Sequence, residues 1–311
     1  MDRRELLRLL ALTPLSAIAA ACGGSALTAA GNDAPAVEIM PAVSIATPEP
    51  IPTPEPPFVL PAGEERRLLM AGTRYETPLY IFASGRPGKI ALALGGVHGN
   101  EPGGWLAADR VVDKIRPETG ALLVLPRANK VAVSLLERTT DDLGDLNRSY
   151  PGFAEGLPME RMAGEISNTI REFHVDLLHD MHESWAFYKD RTTNGTAFIG
   201  ETIATSQPGG AIVNSVIERV NPTVQHEREE FSFRDFGQPN PQPQANLPRQ
   251  TNVPPPGRGT SSLGLSRTFP SLIAILVEMG QQQAMERRVA LHVQILEEVL
   301  AEMGIRNIPR R

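Results

Sequence analysis

The sequence predicts a single-domain α/β fold with a mainly parallel or mixed central sheet flanked by helices. Three observations predict it. From about residue 64, short apolar runs alternate with amphipathic stretches of helical period. The 311 residues are 41% hydrophobic and 21% charged, enough for one large domain with a full core. The carboxyl ends of four apolar runs carry polar or ionisable residues, and in open α/β sheets that is the edge where ligands bind.

The chain opens on an address and a spacer. Arg3, Arg4 and Arg8 precede an apolar stretch, Leu9 to Ala21, which ends in small residues before Cys22. That stretch is too short to span a bilayer of roughly 30 Å, so residues 1–22 are expected to be an export signal. The run from Arg3 to Arg8 resembles a twin-arginine signal, and Ala19-Ala20-Ala21-Cys22 resembles a bacterial lipobox with Cys22 as the lipidated residue. The lipobox fit is imperfect, because Leu is commoner than Ala three places before the cysteine. A membrane-anchored, extracytoplasmic location follows as the expectation. Residues 23–63 are rich in proline, which lacks an amide donor and fixes φ; they are expected to be an extended tether without regular structure.

Residues 64–311 form the expected domain. Strands are expected at Arg67–Met70, Leu79–Ala83, Ile90–Leu94, Ala121–Leu125, Val175–Asp180 and Leu272–Val277. Helices are expected at Trp105–Ile115, Met159–Phe173, Ile212–Arg219 and Ala284–Met303. Residues 221–264 break the pattern: they are rich in Pro, Gln, Asn and Arg, and are expected to be one long functional loop.

Composition narrows the chemistry. A net charge of -6 without any basic run argues against nucleic acid as a partner. A single cysteine excludes a disulfide framework and a cysteine-based metal site, so any metal falls to the six histidines and the carboxylates. After Ile90–Leu94 comes Gly95-Gly96-Val97-His98-Gly99-Asn100-Glu101. After Ala121–Leu125 the chain leads to Asp145-Leu146-Asn147-Arg148-Ser149-Tyr150-Pro151-Gly152. Asp180-Met181-His182-Glu183 and Val277-Glu278 end the other two runs. His98 and Glu101 are close enough in sequence to share one cation, and His182 could supply a third ligand, leaving the fourth zinc position open as in catalytic sites. His179 is the competing third ligand, although strand alternation turns it the other way. His226 and His292 look like surface positions.

These four ordered motifs resemble the zinc carboxypeptidase superfamily, in particular its succinylglutamate desuccinylase/aspartoacylase-like branch, over roughly residues 64 to 300. The resemblance implies one zinc ion held by His98, Glu101 and His182. It implies that Asp145 steers the ring of His98, that Asn147 and Arg148 bind a substrate carboxylate, and that Glu278 is the general base. Arg138 matches the arginine that stabilises the oxyanion, with Arg127 as competitor. The implied reaction is hydrolysis of an amide or peptide bond beside a carboxylate on a small substrate, by a deacylase or a carboxypeptidase. No tyrosine follows Tyr188, and Phe269 is the only aromatic close before Glu278, which departs from the peptide-cutting branch and favours the deacylase-like one. The alternative is a lipid-anchored protein that holds zinc or a carboxylate without catalysis; it would have no need of Glu278.

Overall fold

The computed structural model describes residues 58–190, 198–205, 208–235 and 259–309. The expected export signal, Cys22 and most of the expected tether lie outside the described residues, as does much of the segment 221–264. Among the described residues no helix is long and apolar enough to cross a membrane.

One mixed sheet of eight strands organises the domain: β1 (Gly63–Leu69), β2 (Thr77–Ala83), β3 (Ile90–Leu94), β5 (Ala121–Leu125), β6 (Leu177–Ser184), β7 (Thr202–Thr205), β8 (Ser232–Asp235) and β9 (Ile273–Gly280). Their spatial order is β1-β2-β5-β3-β6-β9-β7-β8. The centre, β5-β3-β6-β9, is parallel, whereas β2 joins β5 and β7 joins β9 antiparallel. Short strands β4 (Ile115–Pro117) and β10 (Asn307–Pro309) form a separate antiparallel pair.

The central strands read as continuous apolar runs because both faces are covered. Leu92, Leu94, Leu123, Leu125, Leu178 and Leu276 pack on one side with α3 (Pro158–Glu172). On the other, Ala91, Ala93, Leu122, Val124, Met181 and Val277 meet α1 (Pro102–Lys114), α4 (Gly210–Val220) and α5 (Met285–Glu302). Helix α5 buries Leu291, Ile295, Leu296, Val299 and Leu300, each contributing up to about 1.5–3 kcal/mol of apolar burial. A short α2 (Lys130–Leu135) is capped by Asn129, whose side chain accepts from the amide of Ala132 at 3.2 Å.

The expected strands and helices all occur, most with shifted ends, and several differences matter. β6 and β9 run on to Ser184 and Gly280, so His182 and Glu278 stand inside strands rather than beyond them. Ladder pairing between β6 and β9 continues through the polar residues, because backbone hydrogen bonds do not depend on an apolar side chain. Within residues 221–264 the chain is not one loop: 232–235 form β8, paired parallel to β7, and single helical turns cover 221–223 and 227–229. The folded domain also begins earlier than residue 64. The ring of Phe58 lies 4.6 Å from that of His174, Leu60 packs on the core, and β1 starts at Gly63. Finally, His292 is fully buried, not on the surface.

Candidate metal and active site

Strand alternation decides what each face of the sheet offers. On β6, Leu178, Asp180 and His182 face one way; on β9, Ala274, Leu276 and Glu278 do the same. His182 and Glu278 are direct partners in the parallel register, as are Asp180 and Leu276. Neighbouring strands lie about 4.8 Å apart, so the imidazole and the carboxyl rise side by side from one face.

The turn after β3 brings His98 and Glu101 to that face. Its amides are tied to the segment ahead of Arg138: Gly99 donates to the carbonyl of Arg138 and Asn100 to that of Glu137. Glu101 is the N-cap of α1, with Pro102 at the first helical position, yet its carboxylate makes no cap bond. It is turned to the imidazoles instead. His98 Nδ1 lies 2.6 Å from Glu101 Oε1, and His182 Nδ1 lies 2.9 Å from Oε2 and 3.2 Å from His98 Nδ1. The backbone amide of Glu183 holds the same Oε2 at 3.0 Å.

Two nitrogens and one oxygen, all within 4.8 Å of one another and all buried, suit a small divalent cation. Bonds of about 2.0–2.1 Å in a tetrahedral zinc site separate ligand atoms by about 3.3 Å, close to the spacing found. The remaining ring nitrogens face carboxylates, which is how metal-binding histidines are usually oriented. His98 Nε2 is 3.2 Å from Asp145 Oδ1, and His182 Nε2 is 3.0 Å from Asp180 Oδ2 in an off-line ionic contact. The donor set therefore fits zinc.

Charge is balanced tightly here. Burial alone would raise the Glu101 carboxyl, but His98 and His182 outweigh it and hold the group well below the usual carboxylate range. Asp145 behaves alike: burial raises it, but the bond from His98 together with Arg138 outweighs burial and holds it well below the usual range. Burial works against charge on His182, whereas Asp180 and Glu101 push it well above the ordinary histidine value. Burial pushes Glu278 up to about 8, with Glu101 adding to the rise and His182, Arg138 and Arg234 opposing it.

Asp145 is also the cap of the helical turn 146–148. Its Oδ1 accepts from the amide of Asn147 at 2.9 Å, and its Oδ2 accepts from Arg138 Nη2 at 2.9 Å and Nε at 3.3 Å. Arg138 Nη1 is thereby aimed at the cluster, 3.4 Å from His98 Nδ1 and 3.9 Å from Glu101 Oε1. Arg127, its competitor in the sequence, is engaged elsewhere, with Asp109 and over the ring of Trp105. Asn147 Oδ1 accepts from the amide of Ser262, and Arg148 Nη1 donates to the carbonyl of Asn147.

Asn147, Arg148 and Glu278 line a single cleft of about 480 Å³, walled by Ile199, Ala204, Leu263 and Leu276. Arg234 on β8 lines it too. Two polar contributors escaped the sequence reading. Asp180 had a signal, since it stands two residues before His182 and so shares its strand face. Arg234 had none, because its four-residue edge strand sits in a polar segment. His179 is fully buried on the opposite face, as alternation requires.

Residues 87–188 match the family model for the succinylglutamate desuccinylase/aspartoacylase catalytic domain. The site-bearing segment is of the succinylglutamate desuccinylase/aspartoacylase type. His98, Glu101, Arg138, Asp145, Asn147, Arg148 and His182 all fall within it; Glu278 and Arg234 lie outside. An N-alpha-acetyl-L-2,4-diaminobutyric acid deacetylase from Halomonas elongata is 33% identical over 98 residues, which is 30% of this chain and 28% of that one. The tripeptide-bound cell shape determinant Csd4 of Helicobacter pylori superposes with a TM-score of 0.57 at 20% identity, over 72% of this chain and 53% of its own. A succinylglutamate desuccinylase/aspartoacylase from Rhodobacter sphaeroides gives 0.55 at 18% identity, over 78% and 67%. The chain thus spans under a third of the deacetylase and about half of Csd4. The two structural likenesses carry the fold, and the desuccinylase/aspartoacylase-type architecture is the one described above.

Proposed function

We propose that this chain is a zinc-dependent hydrolase of an amide or peptide bond next to a substrate carboxylate, using Glu278 as general base. The observation that carries the proposal is the adjacency of two sets of groups. A buried His98–Glu101–His182 cluster lies beside Glu278 on the paired strands β6 and β9, and Glu278 opens into the cleft shared with Asn147 and Arg148. His98, Glu101 and His182 would hold the ion. When bound, zinc supplies Lewis-acid polarisation and lowers the pKa of water to about 7.

The remaining steps belong to the chain. Asn147 and Arg148 bind the carboxylate, the planar guanidinium matching it in a two-point contact. The Asn147 side-chain oxygen is occupied by Ser262, which leaves its amide NH₂ to donate. Glu278 takes the proton of the attacking water as general base and returns it to the leaving nitrogen as general acid. Arg138 Nη1 donates to the oxyanion that develops on the scissile carbonyl. Apolar walls at Leu263 and Leu276 exclude water around the bond.

The names deacetylase and carboxypeptidase borne by two of the similar proteins are both names of amide hydrolases, consistent with this chemistry. The test is a panel of N-acyl amino acids and C-terminal peptides, run with and without chelator. Activity on at least one class, lost to chelator and restored by zinc, is expected. Glu278→Gln should abolish turnover while zinc stays bound; near-normal activity of that variant sinks the base assignment and revives the binding-only reading. For location, we propose export and lipidation at Cys22, and Cys22→Ser should then move the protein from membrane to soluble fractions.

A further inference from the structure

The face of β6 that points away from Asp180 and His182 carries a second polar line. His179 and Glu183 stand there among Leu177 and Met181, under α5, which presents Arg288 and His292 one turn apart. All four polar residues are buried. The reaction proposed above uses none of them.

Glu183 is the best connected of the four. Its Oε1 accepts from Arg288 Nη1 at 2.7 Å, and its Oε2 accepts from the backbone amide of Gly103 at 3.0 Å. Its own backbone amide donates to Glu101 Oε2 at 3.0 Å. Gln281 Nε2 adds a bond to the carbonyl of Asn100 at 2.7 Å and reaches Glu183 Oε2 at 3.5 Å. One residue thus grips the turn 100–103 through both carboxylate and backbone. The approach is close: a Cβ on Gly103 would fall 2.1 Å from Glu183 Oε1, so the carboxylate or the turn would have to move. Arg288 is itself fixed, donating through Nε to the carbonyl of Gln283 at 3.1 Å.

We infer that Arg288 is a positioning residue for the metal site: by pinning Glu183 it fixes the Glu101 turn against the end of β6. Arg288 touches none of the three ligands. Its guanidinium is the charge partner of a buried carboxylate, and removing one member of such a pair leaves the other uncompensated. Glu183 then lets go of Gly103, and the ligand triangle loosens. Substitution of groups behind the ligands typically weakens metal binding by 10–100-fold. The inference rests on the metal-dependent reading above.

The experiment measures zinc affinity by chelator competition, together with the cobalt absorption spectrum, on the full chain. Arg288→Met is expected to bind zinc at least about tenfold more weakly and to alter the cobalt spectrum, and Arg288→Lys to recover part of the loss. Ile295→Ala, two turns along the same helix and buried, controls for destabilisation and should retain the parental affinity. Parental affinity in Arg288→Met overturns the inference, as does an equal loss in the Ile295→Ala control. Should Arg288→Met fail to fold, Gly103→Ala drives a methyl group into the Glu183 carboxylate without changing charge. It should show the same loss, and parental affinity there is equally fatal. A parent chain that binds no divalent cation overturns the metal-dependent reading itself, and this inference with it.

Discussion

Glu201 is expected to make the domain less stable as pH rises, and its replacement by Gln removes the effect. Glu201 is fully buried immediately before β7, with a left-handed backbone at φ 56°. Its Oε1 accepts from the amide of Gly280 and from Gln283 Nε2, whereas Oε2 has no hydrogen-bond partner. Burial outweighs those bonds and pushes the carboxyl from 4.5 up to about 8. The unfolded chain ionises Glu201 near the ordinary value, while the folded chain keeps the proton until about pH 8. Between those limits the folded state binds more protons, so stability falls as pH rises. The contribution is complete below pH 4.5 and gone above pH 8. At about 1.4 kcal/mol per unit, a rise of about 3.5 units sets a ceiling of about 5 kcal/mol. For a domain of this size that corresponds to roughly 10 °C or more in Tm. Glu201→Gln keeps the acceptor for Gly280 without an ionisable proton. Thermal melts of the two proteins at fixed zinc, from pH 4.5 to 8.5, should give curves that nearly coincide at the acid end. They should then separate progressively in favour of the variant. A Tm difference that does not change with pH refutes the reasoning.

Other outcomes follow from the site. Arg138→Met should lower kcat by about 10²–10³, equivalent to about 3–4 kcal/mol of barrier, with KM much less affected; initial-rate kinetics check this. A proportional rise in KM at unchanged kcat would assign Arg138 to ground-state binding instead. Asp180→Asn removes the carboxylate facing His182 Nε2 and should weaken zinc by about tenfold or more in chelator competition. Retained affinity would leave the orientation of His182 to Glu101 alone.

Much of the fold was legible because the central parallel strands are apolar on both faces and the helices between them are amphipathic. Ile90–Leu94 and Ala121–Leu125 were read to the residue. The ends of β6 and β9 are not legible in this way, because a polar residue in the sequence looks like the end of a strand. At a binding edge the ladder outlasts the apolar run, and the last paired residues carry the chemistry. Asp180 follows from the same alternation that selects His182. His292 is buried rather than exposed because of the helical period: 288, 292, 295 and 299 form one buried line on α5, and the histidine lies on it. Arg234 was beyond reach, since only tertiary pairing with β7 makes a strand of 232–235. The resemblance favours Arg138 over Arg127; what spacing alone cannot tell is that Asp109 and Trp105 engage the latter.

The order of strands separates two tasks. His182 and Glu278 stand on β6 and β9, and His98 and Glu101 on the turn that leaves β3; all three are interior strands hydrogen-bonded on both sides, where any displacement would propagate into the core. Arg234 rides on β8, one of the two edge strands of the sheet among the described residues, reached only through β7. The margin of the cleft can therefore be rebuilt by exchanging residues on a four-residue border strand without moving an atom of the His98–Glu101–His182 cluster. On the proposed function, selectivity on this scaffold can drift while the interior cluster stays put.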